Sequence, residues 1–274
     1  MDHHDLPTLL AAFAVALVAG AINSIAGGGT ILTFPLILAL VGDSKIANIT
    51  STLGLWPASL GGAWGYRRDI AHLVKPFRGF FIISFLGGGA GALLLLWTTK
   101  STFDVLVPFL ILSATVLFAL QTPLSKWLAR RQRTALDHPD NTPHPGRWWL
   151  ILLAQIIVAL YGGYFGAGIG IMMLALLGFL GLTDIYQMNG LKNLGALCIN
   201  GLALLIFIVS DRWREPTVNW PVVAAMALGG ILGGYFCVGL ARKVGPNMAR
   251  KIIIAVGLAG AAYTAWSVWG KAVQ

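Results

Sequence analysis

The chain has 274 residues, of which 57% are hydrophobic and only 11% charged, with a mean hydropathy of +0.78 and a formal net charge of +9. Soluble domains carry about 25% charged residues, so this composition excludes an ordinary soluble protein and predicts a polytopic membrane protein with no sizeable soluble domain. The basic excess sorts by membrane side and calls for no nucleic acid partner.

Taken in chain order, the start MDHHDLP has no basic n-region and carries two aspartates, so the first apolar run is expected to be a retained span and not a cleaved leader. Ten apolar segments follow, at residues 6 to 25, 30 to 42, 46 to 65, 77 to 98, 103 to 121, 148 to 165, 167 to 182, 188 to 209, 220 to 241 and 251 to 270. Most approach the roughly 20 residues a spanning helix needs, but the second and seventh are shorter and adjoin glycine-rich breaks. They are expected to be half-helices or re-entrant legs, which membranes tolerate only where broken backbone is buried in protein or lines a wet cavity. The stretch from Gln121 to Gly146, with Pro123, Pro139, Pro143, Pro145 and mixed charges, is expected to be a linker. The predicted organisation is a first membrane repeat at 1–122, a cytoplasmic linker at 123–147 and a second membrane repeat at 148–274.

The repeat is legible in the residues themselves. Ala26, Gly27, Gly29, Leu36, Asp43, Asn48, Leu53 and Gly54 recur 141 positions later as Ala167, Gly168, Gly170, Leu177, Asp184, Asn189, Leu194 and Gly195. Glycine-interrupted segments at corresponding positions of two repeats point to a transported substrate's site. Thirteen of the nineteen Lys and Arg fall in the loops after the third, fifth and ninth segments, which places those loops in the cytoplasm and both termini outside. Five segments per half then make the two repeats inverted. The fold class predicted is therefore all-α and polytopic, two inverted repeats with short broken or re-entrant helices near the glycine motifs.

Lys192 is the one basic residue well inside an apolar segment. If its helix begins near Asp184, it lies about 12 Å inward, close to the middle of a roughly 30 Å hydrocarbon core. A lysine there costs at least about 2.5–3.5 kcal/mol on insertion scales, so its default reading is functional; a stem reaching toward an interface is the alternative. Asn189, Lys192, Asn193 and Asn200 form a polar strip at helical spacing, and the repeat mates Asn48, Ser51, Thr52 and Ser59 offer another. The asparagines are equally readable as interhelical hydrogen-bond partners. Backbone N–H groups at Gly27, Gly28, Gly29, Gly166, Gly168 and Gly170 are expected to approach an anion, reinforced by the positive ends of the short helices. The other glycines, Gly61, Gly62, Gly87 to Gly89, Gly91, Gly229, Gly230, Gly233 and Gly234, are read as helix-packing positions. Asp43 and Asp184 are read as helix N-caps, and the tryptophans, Trp56 among them, as interfacial anchors.

The run Gly20, Ala21, Ile22, Asn23, Ser24, Ile25, Ala26, Gly27, Gly28, Gly29, Thr30, followed by Phe34-Pro35 and then by Asn48 to Thr52, resembles the TauE/SafE sulfite exporter family, also called the toluene-sulfonate uptake permeases. The likeness runs through nearly the whole chain, since GGYFGAGIG and MNGLKN match that family's second repeat, with Ile169 in place of a middle glycine. It implies movement of sulfite, sulfonates or related sulfur-containing anions, by export across a bacterial inner membrane. The candidate substrate-binding set is Asn23, Ser24, Gly27, Gly28, Gly29, Thr30, Asn48, Ser51, Thr52, Gly168, Gly170, Asn189, Lys192 and Asn193.

No enzyme, cofactor or metal site is expected. The five histidines all lie in loops or the terminus, so no span carries a serine-histidine pair for acyl transfer. No Asp or Glu lies clearly inside a span, so a carboxylate proton relay has no candidate. The competing reading is a membrane thiol electron carrier using Cys198 and Cys237, which are not spaced as Cys-x-x-Cys and are readable as small buried hydrophobes. Expected partners are a small anionic substrate and the lipid bilayer, with assembly into a homo-oligomer left open.

Overall fold

A computed structural model describes residues 5–25, 27–135, 145–182, 184–213, 218–240 and 246–269. These form helices and connecting turns, with no strand among them. The helices are α1 (Leu6–Ile25), α2 (Gly29–Val41), α3 (Ser44–Gly65), α4 (Arg67–Ile70), α5 (Arg78–Trp97), α6 (Lys100–Ala135), α7 (Pro145–Tyr164), α8 (Ile169–Phe179), α9 (Ile185–Trp213), α10 (Trp220–Leu240) and α11 (Pro246–Trp269).

The expected segments are all present, and the two expected to be short are short. Helix α2 has 13 residues and α8 has 11, so at 1.5 Å per residue they extend about 20 and 17 Å, too little to cross a roughly 30 Å core. Helices Leu6–Ser24, Arg78–Trp97, Lys100–Leu120 and Ile185–Arg212 are long and apolar enough to cross a membrane by themselves. Asp43 caps α3 by accepting from the backbone of Lys45 at 2.9 Å and Ile46 at 3.0 Å, and Asp184 caps α9 through Tyr186 at 2.8 Å.

One expectation gains detail and one needs correction. The proposed linker begins as helix, because α6 continues through Ala135. Its residues from Leu124 onward are mostly Leu, Ala, Lys, Arg and Gln, strong helix formers, and the single Pro123 does not end the helix. Residues 136–144 lie outside the described set. Trp56 is not an interfacial anchor: it sits at the middle of α3 and its indole N–H donates to Leu197 O on α9 at 3.1 Å. Trp97 and Trp149, near helix ends, are 73% and 70% exposed, as an interfacial belt requires.

The packing exchanges partners between halves. Helix α1 lies on α10 and α7 lies on α5; α3 packs on α10 and α9 packs on α5; α3 meets α9, and α6 meets α11. Small residues make these approaches close. A side chain at Gly234 would run into Ala58 O of α3, and Gly88 and Gly163 face each other backbone to backbone between α5 and α7. Each half is thus completed by helices of the other, and the α3–α9 contact lies where the two breaks converge.

Candidate functional site

The two breaks touch. Helix α1 ends where Gly27 N–H reaches back to Ile22 O at 3.2 Å, and α7 ends with the same five-residue step, Gly166 N–H to Tyr161 O at 3.2 Å. Both glycines have the left-handed φ that lets the chain reverse, +78° at Gly27 and +81° at Gly166. A β-carbon on Gly27 would sit 2.5 Å from the Gly170 α-carbon, and one on Gly170 would meet Gly27 at the same distance. Only glycine pairs at this crossing.

Each broken arm is capped by the opposite half. Lys192, 1% exposed, donates from Nζ to Asn23 O at 2.8 Å, Ser24 O at 3.2 Å and Asn189 Oδ1 at 3.1 Å. Asn193 Nδ2 adds a donation to Ser24 O at 3.2 Å. These are last-turn carbonyls of α1, which have no intrahelical donor and carry the negative end of the helix dipole. In the other direction, Asn48 Nδ2 donates to Tyr164 O, in the last turn of α7, at 2.9 Å.

An ammonium has three protons, and Lys192 uses all three on neutral oxygens. No carboxylate among the described residues pairs with it; the ion pairs described join Lys100 to Asp104 at 2.7 Å and to Asp43 at 3.7 Å, between the start of α6 and the cap of α3. A buried cation with dipoles but no counter-charge around it attracts an anion.

Lys192 also lines a cavity of about 20 Å³, together with Asn23, Gly27, Thr30, Thr52, Leu55, Ser59, Gly166, Ile169, Gly170, Asn193, Ala196 and Asn200. Its two long walls are the same face of two helices. Thr52, Leu55 and Ser59 on α3 match Asn193, Ala196 and Asn200 on α9 at the repeat offset, each a ladder at positions i, i+3 and i+7. Asn200 Oδ1 is buried without a partner.

Of the fourteen candidate residues, Asn23, Gly27, Thr30, Thr52, Gly170, Lys192 and Asn193 line the cavity. Ser24 contributes its carbonyl to the Lys192 cage, while its hydroxyl turns back to Ala21 O at 3.0 Å. Asn48, Ser51 and Asn189 lie off the cavity: Asn48 is an interhelical partner, donating to Tyr164 O of α7, while Asn189 accepts from Lys192 one turn along the same helix. Gly28 faces the Phe118 ring, and Gly168 is the N-cap position of α8, in the left-handed region. The expected cradle of glycine amides fails at three positions. Gly27 N–H is taken by Ile22 O, Gly166 N–H by Tyr161 O, and Gly29 N–H by Asn23 Oδ1 at 3.1 Å, so a polar neighbour satisfies locally what an anion would have had to satisfy. The cavity also takes in Ser59, Gly166 and Asn200, and the apolar Leu55, Ile169 and Ala196, of which Leu55 and Ala196 stand at the repeat offset. Cys198 is a free, partly buried thiol on α9, and the Cys237 side chain lies outside the described residues.

The model of the family described as "Sulfite exporter TauE/SafE" matches residues 12–264. The chain belongs to the TauE/SafE family. Curated relatives span nearly the whole chain: a "Probable membrane transporter protein" of Haemophilus influenzae is 28% identical over 259 residues, covering 91% of each chain. One with the same description in Xylella fastidiosa is 26% identical over 265 residues, covering 94% of each. "Probable membrane transporter protein YfcA" of Escherichia coli K12 is 26% identical over 251 residues, covering 89% of this chain and 84% of the relative. No solved structure matches. With the apolar helices, these matches make this TauE/SafE member a multi-pass membrane protein.

Proposed function

We propose that this chain is a secondary transporter, not an enzyme, that carries sulfite, a sulfonate or a related small sulfur oxyanion through the cavity between α3 and α9. The observation that carries the reading is Lys192: a fully buried ammonium held by three neutral oxygens, beside a cavity ringed with amides and hydroxyls. Nζ supplies charge attraction, and Asn23, Thr30, Thr52, Ser59, Asn193 and Asn200 supply hydrogen bonds to the oxyanion's oxygens. The family description names sulfite export, and the relatives' names say membrane transporter.

The cavity has room for one or two waters, so an oxyanion enters only when its walls part. Two repeats of inverted topology, rocking about the Gly27–Gly170 crossing, would open it alternately to either side. Entry also requires Lys192 to trade one α1 carbonyl for the anion. Substrate binding thereby loosens the end of α1, which links occupancy to motion. In a bacterial inner membrane with both termini outside, an inside-negative potential favours export by about 2.3 kcal/mol per charge per 100 mV.

The test is labelled-sulfite flux into proteoliposomes of the purified protein, with and without an imposed potential, comparing the parent with Lys192→Ala and Lys192→Gln. Saturable, potential-sensitive flux that both variants lose while remaining folded is the expected result. Unchanged flux in a folded Lys192→Gln removes the lysine from the site; absent flux in the parent removes sulfite as cargo.

A further inference from the structure

Two oxygens on α3 are buried without a hydrogen-bond partner, Asn48 Oδ1 and Ser51 Oγ, on side chains 1% and 0% exposed. They are three residues apart and share a helix face. The Asn48 amide donates to Tyr164 O, which brings the Asn48 side chain to the last turn of α7, with Ser51 one turn further along α3. That turn is the negative end of a helix, with carbonyls that have no intrahelical donor, and Tyr164 O retains a second lone pair after accepting from Asn48. The place gathers acceptors, and its side-chain donors are the Asn48 amide and the Ser51 hydroxyl.

The duplicated half shows what suits such a place. Asn189 and Lys192 are the repeat mates of Asn48 and Ser51. There the acceptors are Asn189 Oδ1 and the last-turn carbonyls Asn23 O and Ser24 O of α1, and the Lys192 ammonium sits among them. The second half thus meets an amide oxygen and a helix C-terminus with a cation tethered to the chain. The first half keeps the amide oxygen and the helix C-terminus but has a serine where the lysine stands.

We infer that a free monovalent cation of sodium's size binds on the first half, liganded by Asn48 Oδ1, Ser51 Oγ and last-turn carbonyls of α7. Neutral oxygens suffice for a monovalent ion, so no carboxylate is needed, and half-helix C-terminal ends are places where transporters hold such ions. Thr52, next to Ser51, and Gly166, just beyond α7, both line the central cavity, so the cation lies near the cargo. An anion held there has Lys192 on one side and the free cation on the other, which makes the two ligands bind cooperatively. The inference stands on the α3 oxygens and the repeat, not on which anion is carried, and its test requires no substrate.

The experiment is the unfolding midpoint of the purified full-length protein in NaCl, KCl and choline chloride at matched ionic strength, with sodium titrated into choline, for the parent, Ser51→Ala and Ser51→Lys. A ligand that binds only the folded state raises the midpoint saturably. Sodium is expected to do so in the parent, with the apparent affinity falling roughly tenfold or more in Ser51→Ala, as loss of one ion ligand implies. In Ser51→Lys the tethered ammonium replaces the ion, and the midpoint no longer responds to sodium. Should Ser51→Lys fail to fold, Ser51→Ala decides. Equal parent midpoints in the three salts, or a midpoint that follows pH alone, overturn the assignment and leave a water among these oxygens. A sodium response unchanged in Ser51→Ala overturns it also, by placing the ion elsewhere.

Discussion

The two broken arms share a backbone solution and differ in chemistry. Both α1 and α7 end on a five-residue step to a left-handed glycine, and both present their last carbonyls to a helix of the other half. At the end of α1 the donor is an ammonium backed by an amide; at the end of α7 it is an amide alone. The repeat supplies the scaffold twice, and one difference, Ser51 against Lys192, tethers a charge to the chain at one end and none at the other. A site with two equivalent faces would have no electrostatic preference between them; this one has its positive charge on the α9 side.

The largest effect is expected where the shared geometry is attacked. Gly27→Val combines a disfavoured left-handed φ with a direct clash on Gly170, and should destabilise by roughly 2–5 kcal/mol, seen as loss of folded, monodisperse protein on size-exclusion chromatography. Next comes the charged cap. Lys192→Met leaves Asn23 O and Asn189 Oδ1 without this donor and Ser24 O with Asn193 alone, and should lower stability by about 1–3 kcal/mol while abolishing anion flux; thermal unfolding and proteoliposome flux read the two effects separately. Asn48→Ala removes the neutral cap and is expected to cost about 1–2 kcal/mol, with flux reduced less than by the lysine change. Equal flux losses in the two variants would erase the distinction between the ends. The cavity wall should be gentler still: Ser59→Ala and Asn200→Ala are expected to stay within about 0.5–1 kcal/mol of the parent and to raise the KM for flux without lowering the unfolding midpoint in proportion. The smallest effect belongs to Cys198→Ser, which should leave flux at the parent's level; a collapse of activity in that variant would revive a thiol mechanism.

Local sequence determined the class, the helix series, the short helices α2 and α8, the caps at Asp43 and Asp184, and the burial of Lys192, because hydropathy, helical period and capping are read from neighbours within a turn or two. The 141-residue repeat offset also pairs the two polar strips, since duplicated helices carry matching faces. What meets a buried polar group is a different matter. The carbonyls that hold Lys192 come from 168 and 169 residues away, and the one that Asn48 meets from 116 residues away. No local pattern reports such partners. The glycine amides read as available for an anion in the sequence, whereas Ile22, Asn23 and Tyr161 occupy three of them in the fold. Trp56 likewise reads as one more membrane-edge tryptophan, yet α9 lies against it. Tertiary structure alone decided which residues of each strip face the cavity and which cap the opposite arm, because that choice depends on how the halves interlock.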